Sequence, residues 1–179
     1  MKRTPLLIVA TLLAFLMVAS SVVAQTQWIV GGRLGLSLYS VGGGAASYNY
    51  YYGYYNTSAS SMQAGLQIGP TAEVIFNKQF AICTDLNINT QAGTPVEWAN
   101  TFKIYFPISG SKIRPYADAG FNLWFFTGGP YFGIRGGGGA LFPIANHLYI
   151  PADIQIGPVF ATGTTPFYLA FTSGIRYEI

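Results

Sequence analysis

The sequence predicts an all-β fold, an eight-stranded antiparallel up-and-down β-barrel, and two observations carry this prediction. From Trp28 to the last residue, large apolar side chains alternate with polar ones, which indicates strands with one apolar and one polar face. Charged residues make up only 8% of the chain, whereas soluble domains usually carry roughly a quarter. The alternation predicts strands, and the scarcity of charge limits which of their faces can meet water.

The first 24 residues are predicted to be a cleavable signal peptide. Lys2 and Arg3 precede the apolar run LLIVATLLAFLMVA, and small residues follow as far as Ala24. A basic flank, an apolar core and a small residue at the cut are typical of secretory signals. The alternative, a permanent membrane anchor, is disfavoured because the run of about 18 residues is close to the lower limit for a span. We therefore expect a signal peptide at 1–24 and a barrel domain at 25–179.

Removal of the signal peptide brings the chain close to neutrality. It takes two of the nine basic residues, leaving seven against six acidic ones. The high isoelectric point of the full chain is therefore no reason to expect a nucleic-acid partner. Cys83 is the only cysteine, so no disulfide can form within the chain.

Eight segments carry the alternating pattern, and it is clearest in the last one. There Phe167, Phe171 and Ile175 share one phase, while Arg176 and Glu178 share the other. The predicted strands are 27–39, 64–76, 80–90, 96–106, 113–125, 131–142, 148–158 and 167–179. Turn-forming residues separate most of them, and the longest connection is 40–62.

Three prolines fall inside the predicted strands, at Pro70, Pro151 and Pro158. A closed barrel has no free edge at which a missing N–H group is harmless. We therefore expect bulges or strand ends near 69–70 and 157–158.

The apolar phase is predicted to face lipid, which makes this a transmembrane barrel. A soluble exported barrel with its polar face outward is the alternative, but the thirteen charges that remain after signal removal are too few to cover an exterior. Aromatic residues of the apolar phase also gather towards the strand ends, as interfacial girdles do. They are Trp28, Phe76, Phe80, Phe106 and Phe142 at one rim and Trp98, Phe125, Phe132 and Phe167 at the other.

The polar phase is then predicted to line the barrel interior. It contains eleven of the thirteen remaining charges: Arg33, Glu73, Asp85, Glu97, Lys103, Arg114, Asp118, Arg135, Asp153, Arg176 and Glu178. The other two, Lys78 and Lys112, fall in predicted turns. Eight strands leave an interior just wide enough for side chains. Because the two signs are nearly balanced, we predict an ion-paired and largely plugged interior.

Two stretches resemble the eight-stranded outer-membrane barrels related to the OmpA transmembrane domain and the opacity-type proteins. Residues 112–121, KIRPYADAGF, are similar to the family strand with Arg-Pro-Tyr followed by a small residue and Gly. Residues 136–148 are similar to the next hairpin, in which a Gly-rich strand turns into Asn-x-Leu before an acidic residue, here Asp153.

This resemblance implies a location in the bacterial outer membrane. The partners that it implies are outer-membrane lipid and, in transit, periplasmic chaperones and the barrel-assembly machinery. The family usually ends in an aromatic residue that this machinery reads, and Ile179 departs from that pattern.

Residues that could support catalysis are scarce. His147 is the sole histidine and is predicted to be a turn residue. Gly136–Gly139 is not followed by the Lys-Ser/Thr pair of a phosphate-binding loop. We therefore expect no cofactor, no metal and no enzymatic activity; a lipid-modifying enzyme is a disfavoured alternative.

The segment 47–62 contains the candidate binding residues. It combines Gly, Ser and Asn with six tyrosines and no charge: Tyr48, Tyr50, Tyr51, Tyr52, Tyr54 and Tyr55. Loops of this composition make adaptable contact surfaces. The plainer alternative, which the composition favours, is a surface loop whose tyrosines merely cover the rim. The sequence predicts a non-enzymatic, structural or surface-adhesive barrel with an extracellular loop at about 40–62 and an unidentified surface or host ligand. A small porin or transporter of small solutes is the alternative.

Overall fold

The computed structural model describes residues 26–41, 47–49, 54–56, 61–90, 94–126, 129–161 and 165–179. The predicted signal peptide lies outside them and stays a prediction. The strands of this part of the chain are β1 (Gln27–Val41), β2 (Ser47–Asn49), β3 (Tyr54–Asn56), β4 (Ser61–Phe76), β5 (Phe80–Asn89), β6 (Val96–Tyr105), β7 (Arg114–Phe126), β8 (Gly129–Ala145), β9 (Leu148–Phe160) and β10 (Phe167–Glu178). None of the described residues form a helix long and apolar enough to cross a membrane.

Eight of these strands form one closed antiparallel barrel, which confirms the predicted fold class. Its order is β1-β10-β9-β8-β7-β6-β5-β4, so each strand pairs with its neighbours in the chain, and β1 closes the barrel on β10. The short strands β2 and β3 pair separately within the 40–62 connection. Closure leaves no unpaired sheet edge, which is the condition for a β-structure in lipid.

The barrel has two rims that differ in their connections. The turn-side rim contains the β4–β5, β6–β7 and β8–β9 connections, together with the start of β1 and the end of β10. The loop-side rim contains the β1–β4, β5–β6, β7–β8 and β9–β10 connections. The 40–62 connection therefore leaves and re-enters the barrel wall at the loop-side rim.

Burial follows the predicted alternation. In β5, the side chains from Phe80 to Asn89 alternate strictly between exposed and buried. Ile82, Leu86 and Ile88 are about half exposed on the outside, whereas Asp85 is buried on the inside. The predicted aromatic girdle residues Trp28, Phe80 and Trp98 likewise face outward. The outer wall is thus apolar and the inner wall polar, as the charge phase predicted.

The expectation of a bulge or strand end near 69–70 was wrong, and no bulge occurs near 157–158, although the β9–β10 pairing ends at Pro158. β4 and β9 run through these prolines without a change of register. Instead, the β4–β5 register passes directly from Ile68–Ile88 to Thr71–Asp85, while Pro70 stays paired with β1. Gly69 lies so close to the carbonyl of Leu86 that a Cβ atom there would clash with it. A glycine before the proline therefore lets the strands stay close where the N–H group is missing.

The register shift of the β8–β9 pair occurs elsewhere, between Pro143 and Ala145. This bulge lies directly before the turn at Asn146–His147, where His147 adopts a left-handed conformation with φ of 62°. His147 is exposed, as predicted for a turn residue. The β8–β9 irregularity thus belongs to the turn-side rim and not to the middle of the wall.

Candidate functional site

Glu73 on β4 is the centre of one ion-pair cluster inside the barrel. Lys103 Nζ lies 2.8 Å from its Oε2 atom, and Arg176 Nη1 lies 3.2 Å from the same oxygen. The Tyr105 hydroxyl donates a hydrogen bond to the other carboxylate oxygen. All four side chains are buried. One carboxylate thus pairs with two cations in a space without bulk water, where an unpaired charge would be costly.

A second cluster is built around Arg33 on β1. Its guanidinium forms an ion pair with Asp85 and lies 3.7 Å from Asp153. It also donates a 2.7 Å hydrogen bond to the Thr172 hydroxyl, which in turn donates to Asp153 at 3.2 Å. The Cys83 thiol donates to Asp85 at 3.5 Å. Arg33 therefore joins two carboxylates from strands on opposite sides of β1.

Glu97 on β6 is held mainly by neutral amides. Gln67, Asn87 and Asn122 donate hydrogen bonds of 2.7, 3.0 and 2.8 Å to its two oxygens. Arg135 adds an ion pair at 3.3 Å and reaches towards Asp85 at 3.7 Å. Each bond comes from a different strand. The carboxylate therefore cross-links the barrel internally as well as neutralising charge.

Little free space remains among these groups. The gap among the central charges measures about 160 Å³ in total and is too finely divided to admit a water-sized sphere. The glycines of β8 allow this close packing because they carry no side chain. A Cβ atom at Gly139 would lie 2.8 Å from Asp153 Oδ1 and 3.0 Å from the Tyr116 hydroxyl. The Gly-rich stretch therefore makes room for the larger side chains of adjacent strands.

An aromatic layer closes the lumen towards the loop-side rim. Tyr39, Trp124 and Tyr168 have ring centroids between 4.9 and 5.9 Å apart. Val159, Ala170 and Tyr131 pack against them. Trp124 and Tyr168 are each 1% exposed. The ion-paired centre is therefore separated from the loop-side rim by tightly packed rings.

The turn-side end of the lumen is closed by a different layer. Ile29, Ile75 and Leu141 form its apolar part with Ala81, and Tyr105, Tyr116 and Tyr149 complete it. At its outer edge, Arg114 pairs with Glu178 at 3.0 Å and donates a 2.7 Å hydrogen bond to the Tyr149 hydroxyl. The side chain of Arg114 is 31% exposed, in contrast to the central cations.

The predicted site residues are thus found in two places. Ten of the eleven charges predicted for the interior are buried, and Arg114 is half-buried at the turn-side mouth. Of the candidate tyrosines, Tyr48 pairs with Tyr55 between β2 and β3, and Tyr54 pairs with Asn49. Tyr50, Tyr51 and Tyr52 lie outside the described residues. The interior charges and the tyrosine segment are therefore separate parts of the molecule.

The inward-facing aromatic residues are what sequence reasoning missed. Trp124 and Tyr116 share the phase of Asp118, and Tyr105 shares that of Lys103. Their parity was therefore available as a signal. This parity is easily overlooked, because aromatic residues in such a barrel are expected first in the lipid-facing girdles.

Within the described residues, no group of three or more His, Cys, Asp and Glu side chains is placed to hold a metal ion.

Comparisons with known proteins reveal similarity of structure. No protein-family model matches the sequence, and no curated protein is significantly similar to it. Neisserial surface protein A is 12% identical with a TM-score of 0.57, covering 84% of this chain and 96% of its own. The N-terminal β-barrel domain of OprF from Pseudomonas aeruginosa is 9% identical with a TM-score of 0.57, covering 87% and 98%. The outer membrane protein AlkL, solved in lipid bilayers, is 9% identical with a TM-score of 0.54, covering 87% and 90%.

At these identities the similarity concerns the fold alone. Each of these proteins aligns over at least 90% of its own length, so the match extends over the whole barrel and not over a few hairpins. The chain therefore has the closed eight-stranded fold of the small outer-membrane β-barrels, which is the fold that its OmpA-like and opacity-type motifs implied.

Proposed function

We propose that this chain is a non-enzymatic integral protein of the bacterial outer membrane, with a structural or surface-adhesive role and a lumen that does not conduct freely. The observation that carries the proposal is the contrast between the two barrel faces. Large apolar side chains such as Leu34, Ile82 and Ile154 are about half exposed outside, while ion pairs fill the inside. An exterior of this kind is stable in lipid, where an outward Arg or Lys would cost about 2–4 kcal/mol at mid-depth.

The packing of the lumen favours a structural role over transport. A continuous water path would have to pass both the aromatic layer around Trp124 and the ion-pair clusters of Glu73 and Arg33. Selective pores need rings of one charge sign or a hydrated channel. Here each central cation has a carboxylate within 4 Å.

The tyrosine segment supports the adhesive part of the proposal. Residues 40–62 form the longest connection and contain no Asp, Glu, Lys or Arg. The β2–β3 pair brings Tyr48 opposite Tyr55. Tyrosines in a Gly/Ser/Asn context present rigid contact area at low entropic cost. With this segment extracellular, the turn-side rim and both ends of the barrel chain lie in the periplasm.

The membrane assignment is tested first. We expect the envelope fraction to contain a heat-modifiable species on gels, because a closed barrel resists detergent until it is boiled. Protease added to whole cells should cut the protein within 40–62 and leave its turn-side connections intact. A protein that partitions into the aqueous phase would contradict the proposal.

Conduction and adhesion are tested on the purified barrel. In planar bilayers, we expect no large, stable open channels; if these are observed, the porin alternative is correct.

A variant without residues 44–60 should lose surface binding. A length-matched control with the six tyrosines changed to Ser separates the effect of the rings from that of loop length, and unchanged binding by both variants would exclude the adhesive role.

A further inference from the structure

The turn-side mouth of the barrel opens into a vestibule of about 700 Å³, a volume within the range of small-molecule sites. Lys78 from the β4–β5 turn, Lys112 from the β6–β7 connection, Arg114 from β7 and His147 from the β8–β9 turn all line it. Of the described residues, no Asp or Glu is part of this lining. The vestibule is therefore a cationic concavity and not a neutral gap.

The three cations of the vestibule differ in how much of their charge is already used. Arg114 is paired with Glu178 and stacks 4.8 Å above the Tyr149 ring, so it is a fixed part of the floor. Lys78 and Lys112 are exposed, and the ion pairs of the described residues involve other cations. Two ammonium groups thus face the vestibule with their charge uncompensated.

This charge belongs to one rim only. The loop-side connections, at 42–60, 90–95, 127–128 and 161–166, contain no Asp, Glu, Lys or Arg. Solubility would be served by charge at either rim, so a one-sided placement needs another explanation. A concave surface of one sign attracts ligands of the opposite sign and concentrates them locally.

The position of the vestibule indicates which class of anion it would bind. Phe106 and Phe142 point outward at the same rim and are 50% and 41% exposed, as expected for the lipid interface. Ile108 and Ile144, which line the vestibule, are also more than half exposed. Phosphate groups of lipid headgroups are found at this depth, and an amphipathic lining suits a headgroup attached to apolar chains.

We propose that the turn-side vestibule binds a phosphate group, with Lys78 and Lys112 as its charge partners and Arg114 as its fixed floor. An anionic phospholipid headgroup of the adjacent leaflet is the nearest source, and a soluble phosphate monoester is the other. Basic groups at a membrane surface attract anionic lipid in this way. The proposal stands apart from the adhesive role, which concerns the opposite rim.

The test uses the refolded full barrel in detergent, with bound lipid counted by native mass spectrometry. Phosphatidylglycerol, phosphatidylcholine and glycerol 3-phosphate are titrated separately. The test variant is Lys78→Gln with Lys112→Gln, and a Lys78→Arg, Lys112→Arg variant keeps the charge. Gln79→Ala, in the same turn as Lys78, controls for a general disturbance of the rim. Heat-modifiable migration confirms that every variant is folded.

We expect phosphatidylglycerol to bind more tightly than phosphatidylcholine, and the double Gln variant to weaken this binding by roughly ten- to thirtyfold. The Arg and Gln79→Ala variants should bind as the unchanged protein does. Lysine-dependent binding of glycerol 3-phosphate would assign the site to soluble esters as well, and its absence would assign the site to lipid alone. Equal affinity for the two lipids without glycerol 3-phosphate binding, or unchanged binding by the double Gln variant, would overturn the proposal.

Discussion

The central ion-paired layer and the loop-side aromatic layer both fill the lumen, but they do so by different means. The central layer is held by charge pairs that cross the barrel, as Arg33 does between Asp85 and Asp153. The aromatic layer packs rings against rings, and within the described residues the Tyr39 hydroxyl, the Trp124 indole N–H and the Tyr168 hydroxyl have no hydrogen-bond partner. The first layer depends on pairing and the second on shape.

The two layers should therefore respond differently to substitution. Removing one member of a buried ion pair leaves the other charge unpaired, which costs more than the pair itself contributes. Removing a ring leaves a cavity whose cost depends on how far the surroundings relax or take up water. Substitutions in the central layer, in the aromatic layer and at the rim should therefore differ in their cost.

The largest effect is expected for Glu73→Gln. It leaves Lys103 and Arg176 buried without their carboxylate, and should lower the free energy of unfolding by about 4 kcal/mol. Urea titration of the barrel in lipid vesicles, followed by heat-modifiable migration, measures this. Adding Lys103→Met should recover part of the loss because one unpaired charge is removed. A double variant less stable than Glu73→Gln would contradict the pairing argument.

Trp124→Ala should cost slightly less, about 3 kcal/mol by the same urea titration. The ring packs against Tyr39 and Tyr168 and is fully buried, but the cavity would lie near the rim, where water can enter. Phe125→Ala on the adjacent outward position is the matched control, since its side chain contacts the exterior. Equal losses for the two variants would mean that the aromatic layer is not a packed plug.

Cys83 allows access to the central layer to be measured directly. The thiol is buried, so we expect a water-soluble maleimide to leave it unlabelled in the folded barrel and to label it fully in urea. Trp124→Ala should permit slow labelling if the aromatic layer is the barrier on the loop side. Fast labelling of the unchanged barrel would show that at least one end of the lumen is open to water.

The smallest effect is expected for Glu178→Gln. Its partner Arg114 is 31% exposed and can be solvated when the pair is lost. The free energy of unfolding should therefore fall by less than about 1 kcal/mol. A loss as large as that of Glu73→Gln would remove the distinction between the rim pair and the central pairs.

Much of this arrangement could be predicted from the sequence, because period-two alternation assigns each side chain to a face before any contact is known. Arg33, Asp85 and Arg176 share the polar phase, which the scarcity of charge predicted to face inward, and the structure buries all three. Strand ends were less predictable. β8 extends to Ala145 past the predicted end at 142, because the Pro143–Ala145 bulge lets pairing continue to the turn.

The partners within the lumen could not be predicted. Arg33 and Asp153 are far apart in the chain, and only the closure of β1 on β10 and the tilt of the strands bring them together. The effect of the prolines on the strands could not be predicted for a related reason. Whether Pro70 breaks a ladder depends on which neighbouring strand its missing N–H group would have met.

An all-β barrel with two faces of different polarity could be predicted from the sequence, since alternation and charge scarcity are visible without knowledge of any contact. The tertiary structure was needed to establish which charges pair, where aromatic layers close the lumen, and that Lys78, Lys112 and Arg114 meet around one vestibule. These depend on strand register and closure, which bring together residues from distant parts of the chain. The opposition of faces was therefore predictable, whereas the contacts across the lumen were not.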